Sequence, residues 1–516
     1  MSPELSPIFL RLLPLLLFSI ITSPQPASAE CRLVKRGLSK DLLLLGTVLT
    51  DKGAQPDSAV LVHSGKIAYV GDICGLDPGK WRRGTDASVL NCTGSVISPG
   101  FINTHEHIDY ATVRPLTDIG ERVSHRHDWR VGARNATMRE VAVNGSAAAA
   151  RAWGELRHVF SGTTALVGGA MAPGLARNLD FADGLEEEEG LAGRPAARYD
   201  TFPLRDKHGI MRNGDCNYGP DPIDRATAAG YHRYIGHVGE DVDLEAANEF
   251  ACLSNATFDV TPALGSGGGR GGLSTDIIGP NVALVHALGL TPRDFDVIAA
   301  RGAKVVWSPR SNMYLYGKTL NASALLAAGI TVALGTDWLP SGSATMGREA
   351  ACAASVARES HGVEIAPKVL WEMATRNAAV VAGFEDVLGS LEAGKLADIV
   401  VFGEAASVSA SRDEGRGVVD DDENDVVDPF AQAIFASQDK IELVLRGGKI
   451  LLASSALRDL TSGTCETVAF GKSEKVACVA DELGASFAAF EASLRGVYPA
   501  VLPDLPPDEP TCRVDG

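Results

Sequence analysis

Hydrophobic positions follow two different patterns along the chain and divide it into three parts. In residues 43–96, apolar and polar positions alternate over short runs, and "VLVHSGKIAYVG" breaks at Ser64-Gly65 as a β-hairpin does. The same alternation returns late in the chain, in residues 396–403 and 441–454. Because these β-rich segments flank a long middle part, we expect them to pair into one small sheet domain that the middle part interrupts.

Residues 99–384 show a different pattern, in which short apolar strands alternate with alanine-rich helical stretches. The strands include "TTALVGG", "NVALVHAL", "AKVVWSP" and "ITVALGTD", and the helical stretches include "GSAAAARAWGELRHVF" and "LEAANEFACLS". Such alternation predicts a parallel sheet, and the length suits a closed barrel of roughly 250 residues. We therefore predict an α/β fold, a TIM-type (β/α)8 barrel with a small composite β-sandwich domain built from both chain ends. Residues 204–220 and the glycine-rich residues 264–272 are predicted loops.

The first 29 residues are set apart from this fold. The apolar stretch 11–21 is too short to span a bilayer, and Pro24, Pro26 and the small residues Ala27-Ser28-Ala29 follow it. This is the pattern of a secretory signal cleaved after Ala29, with an uncleaved anchor as the alternative. We expect a secreted, extracellular protein that is not membrane-bound after cleavage. The predicted domains are a signal peptide (1–29), the N-terminal part of the sandwich (30–98), the barrel (99–385), the C-terminal part of the sandwich (386–475) and a C-terminal extension (476–516).

Composition and charge narrow the classes of partner. The chain has 516 residues, of which 45% are hydrophobic, and this is ample for a large core. Its formal net charge is −18, which argues against a nucleic-acid or anionic-membrane surface, because both require clustered lysine and arginine. We expect a small-molecule substrate and no nucleic-acid partner, and the oligomeric state, including a homo-oligomer, stays open.

Cysteines and glycosylation sequons agree with secretion. The nine cysteines include no C-x-x-C pair, so disulfides are expected instead of a cysteine zinc site. Cys74 with Cys92 and Cys465 with Cys478 are the expected local bridges, and Cys352 is the expected free thiol. Asn-X-Ser/Thr sequons, the acceptors of N-linked glycans, stand at Asn91, Asn135, Asn144, Asn255 and Asn321.

Candidate chemistry lies at the ends of the predicted barrel strands, where the active site of such a barrel is found. His105 and His107 end the first strand, and at i and i+2 they project to the same side. His237, His286 and Asp337 end strands that we number five, six and eight. Imidazole nitrogens with one carboxylate suit a single divalent metal, with Zn²⁺ first and Fe²⁺ or Mn²⁺ as alternatives.

A second H-x-H pair, His125 and His127, lacks a preceding apolar strand. We interpret its segment as a loop that follows the first strand and lines the site, without metal ligation. The remaining histidines are expected at the surface or in packing contacts; they are His63, His158, His208, His232 and His361.

Several segments resemble the amidohydrolase superfamily of metal-dependent hydrolases over roughly residues 43–454. "SPGFINTHEH" is similar to its first-strand metal motif, and "HVGE" to the H-x-x-E motif of the cytosine-deaminase-like and chlorohydrolase-like branch. "LVHALGL", "VVWSPRSNMYLYG" and "LGTDWLPSG" also resemble that branch. These motifs are specific for the superfamily and say little about the substrate.

The resemblance implies a role for each strand-end residue. His105, His107, His237 and Asp337 would be the metal ligands, and Glu240 and His286 would be further catalytic groups. This chain departs from many relatives in having Trp307 where they carry histidine. It also lacks a lysine at the end of a clear fourth strand, so we expect one metal and no carbamylated lysine.

A mechanism follows for cleavage of a C–N bond by a metal-activated water. Asp337 would accept the proton of the water, His286 would stabilise the developing oxyanion, and Glu240 would protonate a ring nitrogen or the leaving amine. Trp307, Arg310 and Asn312 are candidate substrate contacts, and a purely structural role for them is equally open. Deamination of a heterocycle and cleavage of an amide or lactam both remain open, as does halide or ester release. A catalytically silent secreted binding protein on the same barrel is the alternative function.

Overall fold

The computed structural model describes residues 30–75, 86–142, 147–186, 190–259, 273–403, 427–494 and 496–513. The predicted signal peptide and the glycine-rich loop at residues 264–272 lie outside these ranges. The predicted loop at residues 204–220 lies inside them and contains no helix or strand, as the sequence indicated.

Eighteen β-strands are found in the described residues. They are β1 (Arg32–Lys35), β2 (Leu42–Thr50), β3 (Gly53–His63), β4 (Lys66–Asp72), β5 (Ser88–Pro99), β6 (Phe101–Asn103), β7 (Thr163–Leu166), β8 (Arg177–Asn178), β9 (Arg198–Asp200), β10 (Tyr234–Val238), β11 (Val282–His286), β12 (Lys304–Trp307), β13 (Val332–Leu334), β14 (Ile399–Phe402), β15 (Ile441–Arg446), β16 (Lys449–Ser454), β17 (Glu466–Phe470) and β18 (Ser473–Ala477).

The described α-helices mostly follow the parallel strands. They are α1 (Arg126–Val131), α2 (Ala147–Phe160), α3 (Ala182–Glu186), α4 (Arg225–Gly230), α5 (Leu244–Ser254), α6 (Pro292–Arg301), α7 (Pro309–Tyr316), α8 (Ala322–Ala327), α9 (Met346–His361), α10 (Pro367–Ala374), α11 (Arg376–Ala382), α12 (Pro429–Ile434), α13 (Ala480–Leu483) and α14 (Phe487–Ser493). Short 3-10 turns occur at Ile73–Gly75, Ile108–Tyr110, Ala133–Asn135, Gln438–Lys440 and Ser455–Leu460.

One ten-stranded, mostly antiparallel sheet contains strands from both ends of the chain. Its order is β17-β18-β16-β15-β14-β5-β2-β3-β4, with β1 added on β5. The two chain ends meet where β14 pairs with β5, with Val400 opposite Ser98. Side chains from both ends, such as Val60, Ile97 and Val401, share one buried cluster, so neither end completes this core alone. The sandwich form and the domain limits stay predictions.

The middle of the chain forms two parallel sheets. Strands β6-β7-β8 make the first, and β13-β12-β11-β10-β9 make the second. Backbone hydrogen bonds connect the two sheets, from Asp337 N to His105 O (2.9 Å) and from Ala197 N to Leu179 O (2.9 Å). Strands β10 to β13 are buried along their whole length, which matches their mostly apolar sequences.

The last described segment runs back over the middle part of the chain. Tyr498 N donates to Thr112 O at 3.1 Å, and a disulfide joins Cys512 to Cys352 in α9. These contacts hold residues 496–513 against the loop after β6 and against the helices beside β13. The described residues 496–513 of the C-terminal extension are therefore attached to the middle part of the chain at both Tyr498 and Cys512.

The disulfide pattern corrects two expectations. The bridges are Cys31–Cys92, Cys216–Cys252, Cys352–Cys512 and Cys465–Cys478, and Cys74 is the free and exposed cysteine of the described residues. The expected bridge Cys465–Cys478 is confirmed. The pairing of Cys74 with Cys92 is wrong, because β1 pairs with β5 and places Arg32 opposite Asn91, which puts the adjacent cysteines together. The choice of Cys352 as the free thiol is also wrong, because the returning C-terminal segment brings Cys512 to it.

Two further features concern the bilayer and the glycosylation sequons. Within the described ranges, no helix combines the length and apolar character that crossing a bilayer requires. Sequon asparagines at positions 135, 255 and 321 are exposed and Asn91 is half-buried, whereas Asn144 lies outside the described residues. Glycosylation stays a prediction.

Candidate metal centre and active site

Five side chains from four strand ends converge on one point. His105 and His107 follow β6, His237 lies in β10, His286 ends β11, and Asp337 follows β13. The Nε2 atoms of His105 and His107 lie 3.4 Å apart, and Asp337 Oδ1 lies 3.3 Å and 3.5 Å from them. The His237 ring centroid is 4.8 Å from that of His105, and the His286 centroid is 5.0 Å from it. The structure thus brings all five sequence-predicted residues together.

The strand-end alternation expected for the first pair is observed. His105 and His107 both reach the common point, while Glu106 between them turns away. The Glu106 carboxylate accepts from Thr336 Oγ1 at 2.5 Å and lies 3.1 Å from Nε2 of the buried His158. His158 is therefore a packing residue behind the strand, as expected.

Hydrogen bonds to the other ring nitrogen orient two of the imidazoles. His237 Nδ1 lies 3.3 Å from the carbonyl oxygen of Asp200, and His286 Nδ1 lies 2.9 Å from Asn312 Oδ1. Because a carbonyl oxygen can only accept, each Nδ1 carries the hydrogen and each Nε2 presents a lone pair to the site. Metal-binding histidines show this arrangement. Asn312, for which a substrate contact and a structural role were equally open, makes this contact with His286.

His105 also has a hydrogen-bond partner at Nδ1, and it is fully buried. Its Nδ1 lies 2.8 Å from Ser308 Oγ, at the start of α7. Burial, together with the neighbouring histidines, lowers the pKa of His105 well below its ordinary value, and His237 behaves likewise. Both imidazoles are therefore neutral at physiological pH, which is the form that binds a metal ion.

The backbone is strained at two of these strand ends. His286 and Asp337 adopt φ angles of 65° and 58°, and Ala287 follows with 50°. Left-handed conformations are uncommon for residues other than glycine, and they concentrate at functional sites, where the surrounding structure offsets their cost. Here they end β11 abruptly and turn the chain after β13 at the position of the carboxylate.

Asp337 is buried among these imidazoles. Its Oδ1 accepts from the backbone N–H of Trp338 at 2.7 Å, and its Oδ2 lies 3.8 Å from His286 Nε2. Burial raises the pKa of Asp337, and the charges of His286 and His107 oppose that rise.

Glu240 lies beside the cluster, two residues beyond the end of β10. Its Oε1 accepts from Tyr316 Oη at 2.8 Å, and its Oε2 lies 3.8 Å from His286 Nε2 and 4.0 Å from Arg126 Nη1. Burial raises the pKa of Glu240, but His286, Arg126 and the Tyr316 hydroxyl outweigh burial and leave that pKa below its ordinary value. Sequence analysis missed Tyr316, whose only signal was its place in the resembling segment "SNMYLYG".

The two other candidate substrate contacts, for which a purely structural role was equally open, make structural contacts. Trp307 is fully buried in the core, and its Nε1 donates to Thr319 Oγ1 at 2.7 Å. Arg310 is also buried, and it donates to Ser343 Oγ at 2.6 Å and to Pro510 O at 2.5 Å. Neither residue lines the cavity, because β12 and α7 place them in the interior, where the C-terminal segment contacts Arg310.

A cavity of about 590 Å³ opens at the cluster, with His107, His237, Glu240 and Asp337 in its lining. Aromatic rings form much of its wall. The Trp129 and Trp338 rings stack with centroids 5.0 Å apart, and the edge of Tyr110 meets Trp338 at 5.2 Å. The cavity wall also contains one more aromatic ring and three guanidinium groups, those of Phe202, Arg126, Arg130 and Arg139. Trp129, Arg126 and Arg130 belong to the "SHRHDWR" segment, so that segment lines the site as expected.

A smaller cavity of about 370 Å³ adjoins His107 on its other side. Tyr199 Oη lies 3.3 Å from His107 Nε2 there. Asp180 also lines it and accepts from the Gly169 backbone N–H at 2.8 Å. Burial raises the pKa of Asp180 to about 7. Neither Tyr199 nor Asp180 was singled out from the sequence.

His125 forms a second cluster with Asp241 and Glu249, away from the cavity surface. All three are buried, and their ligand atoms lie within 4.8 Å of one another. His125 is the N-cap of α1, and its Nδ1 accepts the backbone N–H of His127 at 3.1 Å. The ring hydrogen therefore sits on Nε2, which faces Asp241 Oδ2 at 2.9 Å, and leaves no lone pair there for a metal ion. His125 and His127 are buried and do not line the cavity, which corrects that part of the expectation.

Comparison with known proteins supports the family resemblance. The family model described as the amidohydrolase family matches residues 249–451. A 5'-deoxyadenosine deaminase of Methanothermobacter thermautotrophicus is 26% identical over 388 residues, which cover 70% of this chain and 85% of that protein. A 5-methylthioadenosine/S-adenosylhomocysteine deaminase of Teredinibacter turnerae is 28% identical over 341 residues, covering 61% of this chain and 73% of that protein.

Solved structures show the same fold. An adenosine deaminase from Xanthomonas campestris with bound zinc has a TM-score of 0.56 and 19% identity, covering 88% of this chain and 98% of that one. An atrazine chlorohydrolase from Arthrobacter aurescens complexed with zinc has a TM-score of 0.53 and 19% identity, covering 80% of this chain and 95% of that one. At these identities the likeness concerns the fold.

Proposed function

Because this chain belongs to the amidohydrolase superfamily, we propose that it is a metal-dependent deaminase that hydrolyses the C–N bond of an amino group on a small heterocyclic molecule. One observation carries the proposal. Imidazoles from three strands and the Asp337 carboxylate meet at one point, and the buried Glu240 carboxylate stands beside them. A site of this kind can hold a metal ion and still offer a separate acid–base group.

The donor set fits a zinc ion. His105 and His237 are neutral, and each has its Nε2 lone pair directed into the site because a hydrogen bond occupies Nδ1. With His107 and Asp337 they provide three nitrogens and one oxygen, a set that zinc accepts readily. When bound, the metal lowers the pKa of a coordinated water, which makes water a usable nucleophile near neutral pH.

The protein's own groups would move the protons. Asp337 can accept a proton from the attacking water, since its carboxylate borders both His105 and His107. Glu240, held by Tyr316, is ionised before reaction; it would take up a proton and pass it to the heterocycle or the departing amine. His286 lies 3.8 Å from both carboxylates, so with a proton on Nε2 it could donate to the oxygen that develops charge.

The cavity supports a planar substrate. Its aromatic wall residues Tyr110, Trp129, Phe202 and Trp338 can pack against a heterocycle, and its volume of about 590 Å³ is large enough for a nucleoside-sized molecule. Relatives that are named as deaminases of 5'-deoxyadenosine and 5-methylthioadenosine make adenine-bearing compounds the first to test.

The test compares ammonia release by zinc-loaded wild type and variants over aminated heterocycles, amides and lactams. Glu240→Gln should fold and keep its metal but lose activity by at least about 100-fold, because the amide cannot transfer the proton. Glu140→Gln is the matched control, since Glu140 lines the same cavity but is exposed. Normal turnover in Glu240→Gln would remove Glu240 from the reaction.

Metal content tests the site itself. His237→Ala should lose bound zinc, whereas His232→Ala, five residues earlier and exposed, should keep it. Equal metal content in the two variants would show that the metal site is elsewhere. Release of a carboxylate from amides, without ammonia from any aminated heterocycle, would favour amide cleavage over deamination.

We also infer that the eight parallel strands close into a TIM-type barrel. The hydrogen bonds that link the two parallel sheets at Asp337–His105 and Ala197–Leu179 support closure, as does the fold of the superfamily. An experimental structure with β6 separated from β13 would contradict it.

We further infer that the protein is secreted. Four disulfides in the described residues and the leader-like first 29 residues support this localisation. Expression in a eukaryotic host should yield medium-borne protein that starts at Glu30, as read by N-terminal sequencing. Its mass should fall on treatment with an N-glycosidase if sequons are used. Retention inside the cell with an intact N-terminus would contradict secretion.

A further inference from the structure

The wall of the larger cavity contains a guanidinium group, that of Arg130, which forms no ion pair within the described residues. Arg130 is partly buried and lies with its guanidinium carbon 4.4 Å from the centroid of Phe202. Its Nη1 lies 3.0 Å from the neutral acceptor His127 Nδ1, and its Nη2 donates to Lys207 O at 3.4 Å. Among the described residues, no carboxylate oxygen lies within 4.0 Å of a guanidinium nitrogen of Arg130, the limit for an ion pair.

Its neighbour Arg126 shows the contrast. The Arg126 guanidinium lies against the same Phe202 ring at 5.4 Å, but it is fully buried and donates to Asp206 at 2.5 Å and to Glu249 at 3.0 Å. Its charge is therefore satisfied inside the protein. Arg130 lines the cavity, forms no ion pair, and has more N–H groups than its contacts with His127 and Lys207 use.

A partly buried guanidinium without an ion-pair partner raises the free energy of the protein, and an anionic ligand bound to Arg130 would offset this cost. Burial lowers the pKa of Arg130 and the adjacent positive charge of Arg126 lowers it further, and the more distant carboxylates of Glu240 and Asp206 oppose these effects without cancelling them. A partly desolvated guanidinium gains most from an anion that takes two parallel hydrogen bonds, and carboxylates and phosphates have this geometry. Arg139, which also lines the cavity, adds to the positive potential there, and its Nε is a buried donor without a partner in the described structure.

We propose that the substrate carries an anionic substituent, a carboxylate or a phosphate, that binds Arg130 while its amino group reaches the histidine and aspartate cluster. This inference rests on the proposed deaminase function and narrows its substrate class. The cavity joins the two places directly, because Arg130, His107 and Asp337 all line it. A neutral amino-heterocycle would fill the aromatic part of the cavity and leave Arg130 unmatched.

Matched pairs of compounds that differ only in the anionic group test the inference. Adenosine and adenosine 5'-monophosphate form the phosphate pair, and the 5'-carboxamide and the 5'-carboxylate of adenosine form a nearly isosteric carboxylate pair. Calorimetric Kd values and ammonia release are measured on the same zinc-loaded protein. At least one anionic member should bind about 10-fold or more tightly than its neutral partner, and its Kd should rise with salt from about 50 to about 500 mM. The pair that responds identifies the anion.

Variants connect this preference to one side chain. Arg130→Met should weaken binding of the preferred anionic compound by about 10- to 100-fold, the range expected for a charge-assisted contact, and leave the neutral partner within about twofold. Arg130→Lys should be intermediate, because it keeps the charge and loses the paired geometry. Arg130→Lys also replaces Arg130→Met as the test variant if the methionine variant folds poorly. Arg114→Met is the control. This substitution removes the same charge, but Arg114 is exposed and lies outside the cavity lining.

The outcomes separate this inference from the proposed function. Equal or absent binding of both members in each pair, or a preference that Arg130→Met leaves unchanged, would overturn the anionic substituent, whether or not ammonia is released. Ammonia release from neutral compounds would then leave the deaminase function standing. Binding of an anionic member that depends on Arg130, with no ammonia released by any compound, would support the anion site and count against deamination.

Discussion

Ser308→Ala should weaken zinc binding although Ser308 would not touch the metal. Ser308 Oγ lies 2.8 Å from Nδ1 of His105, which has no exposed surface. With a metal ion at Nε2, the ring hydrogen is on Nδ1 and the hydroxyl accepts it, which holds the Nε2 lone pair towards the site. Without it, the ring can rotate or change tautomer, and the Nδ1 hydrogen loses its buried partner.

The magnitude follows from this contact. Loss of a hydrogen-bond partner to a metal-binding histidine typically reduces metal affinity by roughly 10- to 100-fold, which is about 1.4 to 2.8 kcal/mol. The same range is expected from leaving one buried donor unsatisfied, about 1 to 3 kcal/mol. Because His107, His237 and Asp337 remain as ligands, we expect weaker binding and not complete loss of the metal.

The assay is competition for zinc between the protein and a fluorescent chelator of known affinity. Ser355→Ala is the matched control, since Ser355 is also buried in a helix but bonds Glu359, away from the site. The control should bind zinc as wild type does. If folded Ser308→Ala binds zinc within about twofold of wild type, then the His105–Ser308 bond does not orient a ligand and the assignment of His105 is in doubt.

Three further predictions concern other parts of the molecule. Asp337→Asn should retain much of its metal, while turnover falls at least about 100-fold as the proton acceptor is lost; near-normal turnover with full metal would contradict this. Denatured, unreduced protein should show one reactive thiol and Cys74→Ser none, and two or more thiols in wild type would refute the disulfide pattern. Burial raises the pKa of Glu349 to about 8, so this group favours folding at low pH and that contribution falls as pH rises from its ordinary pKa of 4.5. Glu349→Gln should therefore gain stability relative to wild type between about pH 5 and about pH 8 in urea unfolding, and parallel curves would contradict it.

Local sequence patterns were sufficient to find the candidate site's strand-end residues. Apolar runs that end in His105, His107, His237, His286 and Asp337 determine both the strands and their polar ends, because a buried strand stops where polar groups begin. The i, i+2 spacing of the first pair also determined that both imidazoles share one side. These features depend on residues within one strand, so the sequence alone determined them.

Contacts between distant segments had to come from the tertiary structure. Tyr316 meets Glu240 across 76 residues, and Ser308 meets His105 across 203, because the chain after β12 turns into α7 beside two other strand ends. The same turn buries Arg310, for which the sequence had left a substrate contact and a structural role equally open.

The disulfides and the cavity wall also depend on contacts between segments that are distant in sequence. Cys352 finds Cys512 because the C-terminal segment returns, and Arg130 reaches the cavity because a long loop after β6 folds over the strand ends. Strand periodicity depends on neighbours in sequence and can be read from them. Which side chains meet across the fold depends on how strands pair and where loops return, and the free energy of that packing is distributed over the whole chain.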